Sequence, residues 1–508
     1  MNGLEVNLRS ANLDVKASRY SYGEHSTDFW HRLAIPVALG GLSIAVGAGS
    51  TTSYGLAIIL ALIGLGILIA AIAWFDRDPV GVFLGVWLLE VVQAPLSAAV
   101  GYHTSTGATV RQSSDVLVAF MLGLAIWRSL SRSHQTSMLR FAVPGILIIA
   151  FGILSSLMNH VSPAVTLQGM WLGVKFWTLL AVAVLLPWQK SDAKRIYGTL
   201  MMSGIFVAFF GLVDYFGHGL VAATLHTNSP TTSIGGYRLN AVQSVLSFPG
   251  EFSLFMSLMA AVAAAYYMSR RRQIDLWLFL LYAISIFLSL RLKGVLSIGA
   301  IVLVVALCSR RSGRSNFVPA VLLGLLLTVF AFSFEGSVIS RQASSYLSSE
   351  GTTARADLYG VGTRIAKDHF PFGVGFGRYA SDTSRTHYST VYDEYGLSGI
   401  YGLDRSYPNY IDDTSWPSVM GETGYAGFIS FTIGLILLTI ALYRRFRLSV
   451  HGLEWLPLAG LCVIAVMVVD SLGDPTFFEW RTVTAAALIL GPALVIIKLK
   501  APAPNEQR

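Results

Sequence analysis

The chain has 508 residues, 54% hydrophobic and only 13% charged, with a formal net charge of +8. Soluble domains carry roughly 25% charged residues, so composition excludes an ordinary soluble enzyme and defines a polytopic membrane protein. The positive charge does not call for nucleic acid, because Lys and Arg are dispersed between apolar runs instead of gathered on one face or arm. The only cysteines, Cys308 and Cys462, lie inside apolar segments, which excludes a disulfide framework and a Cys-based metal site.

Residues 1–32 are polar and lack the basic-then-apolar pattern of a cleavable signal, so they read as a cytoplasmic tail. A membrane span needs about 20 mostly apolar residues. Candidate spans follow at 33–49, 54–74, 79–101, 114–130, 138–157, 165–188, 195–217, 248–269, 274–290, 293–308, 316–334, 425–443, 454–471 and 477–497. The fold class expected is an all-α polytopic transmembrane helix bundle of about fourteen spans, twelve if 274–290 and 293–308 form a hairpin or broken pair. Basic residues concentrate in "RSLSRSHQTSMLR", "QKSDAKR", "SRRRQ", "SRRSGR" and "YRRFR". By the positive-inside rule this places both termini, the tail 498–508 included, in the cytoplasm. Glu90 and Lys175 fall near the centres of the third and sixth spans, where an unpaired charge is costly, and are expected to pair with each other.

Two segments are too long to be mere connectors. They are an outer loop at 218–247 and a larger one at 335–424, between spans 33–334 and spans 425–497. Loops of this length usually bind or catalyse something. The larger holds nine Tyr and a mixed set of acids and bases, enough aromatic surface to order itself. Flat aromatic faces beside carboxylates suit sugars, although an interfacial aromatic belt would use the same residues. Within it, Leu358, Val361 and Ile365 recur at helical spacing, and Pro371 ends that helix. The "GVGFG" that follows reads as a tight turn, because neither the preceding strand nor the Lys-Ser/Thr of a phosphate loop is present.

Taken together, these motifs resemble the O-antigen ligase and O-antigen polymerase (Wzy-type) family of bacterial polysaccharide assembly. They are Arg238 in "GGYRLNAVQSVLSFPGEFS", Arg291 in "SLRLKG", Arg355 ahead of "HFPFGVG", and "DTSWPSVMGETGYAG" with Glu422, Gly424 and Gly427. The resemblance covers roughly residues 230–430. It implies a glycosyltransferase of the bacterial inner membrane that works at the periplasmic face without metal, cofactor or nucleotide sugar. Its donor would be a polyprenyl-diphosphate-linked oligosaccharide, and its partners membrane lipids and the flippase and chain-length regulator of the same pathway. Where the family has His and Asn, this chain has Asp413 and Thr414.

The resemblance makes Asp413 the leading general base for the acceptor hydroxyl, with Asp412 as a like charge beside it and His387 as an alternative. A solvated turn or helix cap before Trp416-Pro417 would explain "DD" equally simply. Arg238 and Arg291 would stabilise the leaving diphosphate, and Arg355 and Lys293 would bind it, because guanidinium groups stay charged and make bidentate contacts. Pairing of Arg355 with Asp357 is the structural alternative for that residue. Glu251, Trp416 and Glu422 complete the expected substrate-binding set. The missing His favours a polymerase joining lipid-linked repeat units over a ligase acting on lipid A-core. A transporter of a lipid or solute is the reading from another class, and it would show internal repeats and polar groups at mid-membrane.

Overall fold

An apolar run removed from water can satisfy its own N–H and C=O groups only by closing hydrogen bonds within the segment, which selects helix. The computed structural model describes residues 77–99, 105–130, 141–225, 231–234, 237–309, 354–449 and 452–496. In chain order they form α1 (Pro79–Ala99), α2 (Ser105–Leu130), α3 (Val143–Met158), α4 (Pro163–Gly173), α5 (Lys175–Leu185), α6 (Asp192–Phe216) and the short α7 (Leu220–Thr224). Strands β1 (Thr231–Ile234) and β2 (Tyr237–Asn240) come next, then α8 (Pro249–Arg270), α9 (Gln273–Leu288) and α10 (Leu292–Ser309). The rest comprises α11 (Ala354–Asp368), the brief α12 (Asp382–Thr386) and α13 (Val391–Glu394), then α14 (Trp416–Leu448), α15 (Trp455–Asp470) and α16 (Trp480–Val495).

Among the described residues five helices, α1, α6, α8, α10 and α14, are long and apolar enough to cross a membrane, six spans if the bent pair α4–α5 counts as one. Apolar helices of shorter length are α3, α9, α15, α16 and the 113–126 part of α2. Large apolar side chains such as Leu157, Phe216 and Trp277 stand mostly exposed on the outside, as lipid-facing residues do. The expected spans at 33–49, 54–74 and 316–334 lie outside the described residues. Each of the others falls on one of these apolar helices, with one departure. The span expected at 165–188 is two helices meeting at 58°, broken at Val174. α4 swings aside because the turn at 375–377 packs on it, so closely that a Cβ on Gly169 would lie 2.3 Å from the Gly377 nitrogen. The all-α expectation is corrected only by the antiparallel hairpin β1–β2, where Ser233 stands opposite Arg238.

Glu90 and Lys175 take different close partners. Thr484 donates to Glu90 Oε1 at 3.1 Å, while the Lys175 ammonium lies over the Trp480 ring, 4.4 Å from its centroid. No ion pair joins the two among the described residues.

Polar contacts gather at the two ends of the bundle. At one end Arg195 bridges Asp78 (2.7 Å) and Asp192 (3.2 Å), Tyr197 donates to Asp275, and Arg270 donates to the Gly452 carbonyl. The starts of α8, α10, α14 and α16 and the end of α15 meet at the other.

At that second end residues between α11 and α14 build a core of their own from Leu358, Val361, Ile365, Tyr379, Tyr392, Leu403 and Ile411, all 2% exposed or less. α11 buries the three positions its spacing picks out, Leu358, Val361 and Ile365. This small core is clasped to the bundle backbone to backbone. Val374 and Gly375 donate to the carbonyls of Gly421 and Glu422 at 2.9 and 3.0 Å, and Ala426 donates to the Pro371 carbonyl at 3.1 Å. α14 kinks at Gly424 (φ 63°, ψ −166°) to make room, and a Cβ there would sit 2.2 Å from the Pro371 oxygen. Ser155 and Asn159 of α3 hold the Gly373 carbonyl from the other side at 2.8 and 3.0 Å.

Gly424→Ala combines left-handed strain with a backbone clash and is expected to cost at least about 1–3 kcal/mol. Thermal unfolding of the detergent-purified protein should register a lowered midpoint. Gly360→Ala, with nothing within 4 Å of its added carbon, is the control; equal midpoints for the two variants would remove the clasp from the account.

Candidate active site

The first turn of α11 and the residues just before α14 are far apart in sequence, and the clasp brings them together. Arg355 Nη2 donates to Asp413 Oδ2 at 2.7 Å, across 58 residues. Both side chains keep about a quarter to a third of their surface, 30% and 26%, so a ligand can reach either. The Asp357 pairing considered for Arg355 is not the one formed by this guanidinium nitrogen. Asp412 turns the other way, with its Oδ2 at 3.3 Å from Arg385 Nε, and Arg385 also holds Asp382. Each carboxylate of the pair thus has its own arginine. Burial pushes the Asp412 carboxyl up to about 6, against the pull of Arg385.

A second charged group lies beside the first. Lys293, in the first turn of α10, reaches Asp470 Oδ1 at 3.4 Å and contacts Asp474, both in or next to the turn joining α15 to α16. The charges of Arg291 and Arg355 also act on Lys293, which puts all three cations in one electrostatic neighbourhood. Four hydrogen bonds hold that turn against the starts of α11 and α14. Tyr359 donates to the Leu472 carbonyl (3.1 Å), Trp416 Nε1 to Ser471 Oγ (2.8 Å), Ser415 Oγ to the Asp474 carbonyl (3.0 Å), and Ser415 N to the Ser471 carbonyl (3.4 Å). Asp470 in turn accepts from Thr476 at 2.9 Å. Glu479, half-buried just before α16, accepts from Thr482 Oγ1 at 3.0 Å.

The remaining residues singled out from sequence have other surroundings. Arg238 sits in β2, and Val242, four residues on, donates to the Leu288 carbonyl three residues before Arg291. The Glu251 carboxylate is taken by Arg481 of α16 and by the Ser247 N–H at 2.9 Å. Glu422 is 2% exposed and accepts from Ser381 Oγ at 2.6 Å and Tyr379 N at 3.2 Å, which fixes the turn after the Gly-rich segment. Trp416 packs edge-on against Phe428, Phe431 and Phe477. His387 Nε2 lies 3.0 Å from Gln168 Oε1 on α4.

Arg385, Arg481, Glu479, Asp470 and Asp474 are absent from the set picked out by sequence. The signal was present in "DSLGDPTFFEWR", where three acids and an Arg crowd a short turn between two apolar runs. Which basic residue each acid would meet is not written in spacing.

These features define a helical membrane protein with a cluster of arginines, lysine and carboxylates at one end of its helices, under a small folded segment. Residues 277–407 match the protein-family model described as O-Antigen ligase, a stretch that contains Arg291, Lys293, Arg355 and Arg385 and ends just before Asp413. That match supports a relationship to the O-antigen ligase/polymerase family, in agreement with the motifs. No curated protein matches the chain.

Partly exposed ion pairs contribute only about 0.2–1 kcal/mol, so Arg355→Ala and Asp413→Asn should fold and accumulate normally. Lys293→Met leaves two buried acids unpaired and should cost about 3–5 kcal/mol. Thermal midpoints of the three purified variants check both statements, and a stable Lys293→Met variant would contradict the second. Because Asp412 must be ionised to hold Arg385, activity should fall as pH drops through about 6 and hold above it. Asp412→Asn should erase that acid limb in a pH profile of the membrane-bound enzyme.

Proposed function

We propose that this protein is a polysaccharide polymerase that joins polyprenyl-diphosphate-linked oligosaccharide repeat units at the periplasmic face of the bacterial inner membrane. The observation that carries the reading is the Arg355–Asp413 contact, because it sets a candidate anion-binding group against a candidate base at the mouth of a cationic cluster. The family match over 277–407 supports glycan transfer from a lipid carrier. Basic residues concentrated in the loops at the opposite end support the orientation, with both termini cytoplasmic.

In the proposed reaction the donor's diphosphate lies among Arg291, Arg355 and Arg238, with Lys293 adding charge. Phosphate oxygens compete with Asp413 for Arg355, and the released carboxylate turns to the acceptor hydroxyl. The hydroxyl oxygen attacks the anomeric carbon as the bond from that carbon to the diphosphate breaks. Asp413 takes the proton, and the departing diphosphate keeps the electron pair with its charge held by the arginines. Attack opposite the leaving group inverts the anomeric centre. No metal or cofactor takes part in these steps. Glu422 and Trp416 serve by fixing the clasp and the start of α14, and Glu251 by anchoring Arg481 beside the cluster. The flippase that delivers lipid-linked units and a chain-length regulator are the expected partners in the membrane.

A ligase transferring glycan to lipid A-core is the second reading, favoured by the description of the matching family model. Asp413 in place of the ligase-type His, with Thr414 turned into the interior at 0% exposure, favours the polymerase.

A gene-deleted strain complemented with Arg291→Ala or Asp413→Asn at matched membrane levels tests the proposal through polymer size and lipid-linked oligosaccharides. Single repeat units accumulating on the carrier, with a drop in polymer of a hundredfold or more, is the expected result. Polymer that stays on the carrier would make the protein a ligase, and unchanged glycans would return it to the transporter class.

A further inference from the structure

Three tyrosines of the segment between α11 and α14 are spent neither on its core nor on the charged cluster. Tyr379 and Tyr392 of that segment are fully buried and Tyr388 and Tyr395 pack half-buried against its core, whereas Tyr401, Tyr407 and Tyr410 are 70%, 39% and 37% exposed. They are nonetheless ordered by one another. Tyr401 and Tyr407 stack with centroids 5.1 Å apart at 22°, and Tyr410 stands edge-on to both, at 6.1 and 6.4 Å.

The backbone beneath is shaped to hold them. Gly402 has φ +86°, and a Cβ there would meet the Tyr410 ring at 2.0 Å, so the ring lies directly on the main chain. Tyr410 N donates to the Gly402 carbonyl at 2.9 Å, closing the excursion 402–410. Asp404 Oδ1 caps the turn inside it by accepting from Ser406 N (2.9 Å) and Tyr407 N (3.0 Å). Arg405 is held over the Tyr388 ring at 5.1 Å. Leu403 and Ile411, both 0% exposed, root the two ends of the excursion in the small core.

Exposed rings that are fixed in advance cost little entropy when something stacks on them. An aromatic face flanked by hydroxyls, a carboxylate and an amide fits a sugar ring, which offers C–H bonds on one face and hydroxyls around its edge. Tyr410 is three residues from Asp413, hence within roughly 11 Å of it along the chain.

We propose that Tyr401, Tyr407 and Tyr410 form a glycan-binding platform that holds a sugar of the lipid-linked chain next to the transfer site. Asp404 and Asn409 stand at its rim for hydrogen bonds to ring hydroxyls. The proposal rests on the glycan-transfer reading above for the identity of the sugar. The rooting of 402–410 in the segment's own core by Leu403 and Ile411 argues against a role in an interfacial aromatic belt.

The test uses the full-length protein in lipid nanodiscs. The probe is the oligosaccharide repeat unit released by mild acid from the lipid-linked pool of the native strain, with binding followed by saturation-transfer NMR. The double variant Tyr401→Ala/Tyr407→Ala should weaken binding roughly tenfold. Tyr401→Trp/Tyr407→Trp, which keeps flat rings, should retain it, and so should Arg355→Ala, because the released sugar lacks the diphosphate. In membranes the Ala pair should raise KM for the lipid-linked unit and leave kcat within about twofold. Unchanged binding and KM in the Ala pair, with Arg355→Ala still abolishing transfer, would overturn the platform and leave the transfer reading standing. Binding that depends on the tyrosines in a strain where Arg291→Ala leaves all glycans unaltered would uphold the platform while the transfer reading fails. A loss that follows nanodisc lipid composition instead of the sugar would assign the rings to the membrane interface and overturn the proposal.

Discussion

The clasp between residues 371–375 and 421–426 is the constraint on which the rest depends. Two backbone segments approach closely enough to exchange hydrogen bonds at 2.9–3.1 Å, with glycine at the positions where a side chain would hold them apart. Because α14 is kinked there and α11 leads into the same turn, the clasp fixes where α11 begins relative to the start of α14. Arg355 and Asp413 meet as a consequence. Glu422, interior and satisfied by Ser381 and Tyr379, serves the same joint from below.

Around that joint the charges are arranged in pairs that leave capacity to spare. A carboxylate fully enclosed by an arginine would be inert, and one open to water would be a weak base in a high dielectric. Asp413 is between these limits, with one close arginine and a quarter of its surface open. Lys293 is the opposite case, enclosed by two acids and holding the α15–α16 turn in place. The cluster thus divides into a rigid part that sets position and an open part where a diphosphate and a hydroxyl can exchange partners with the protein.

Much of this was legible in the sequence because the signals are local. Leu358, Val361 and Ile365 form the buried stripe of α11, and the Gly-rich stretch is a packed turn. Asp412 and Asp413 are partly exposed residues just before a helix start, as a solvated "DD" would also be. The expected pairing of Glu90 with Lys175 assumed that two charges at similar depth must face each other, whereas each takes another close partner, Thr484 for Glu90 and the Trp480 ring for Lys175.

The sequence by itself determined the membrane class, the helical fold with its apolar runs, and the resemblance to a family, since each rests on composition, periodicity or motif order along the chain. Tertiary structure alone decided which arginine meets which carboxylate, that Glu422 is a fastener, and that Tyr401, Tyr407 and Tyr410 stand clear of the small core. Ion pairs and ring stacks join residues tens to hundreds of positions apart. Their partners follow from how helices tilt and break, which no local pattern encodes.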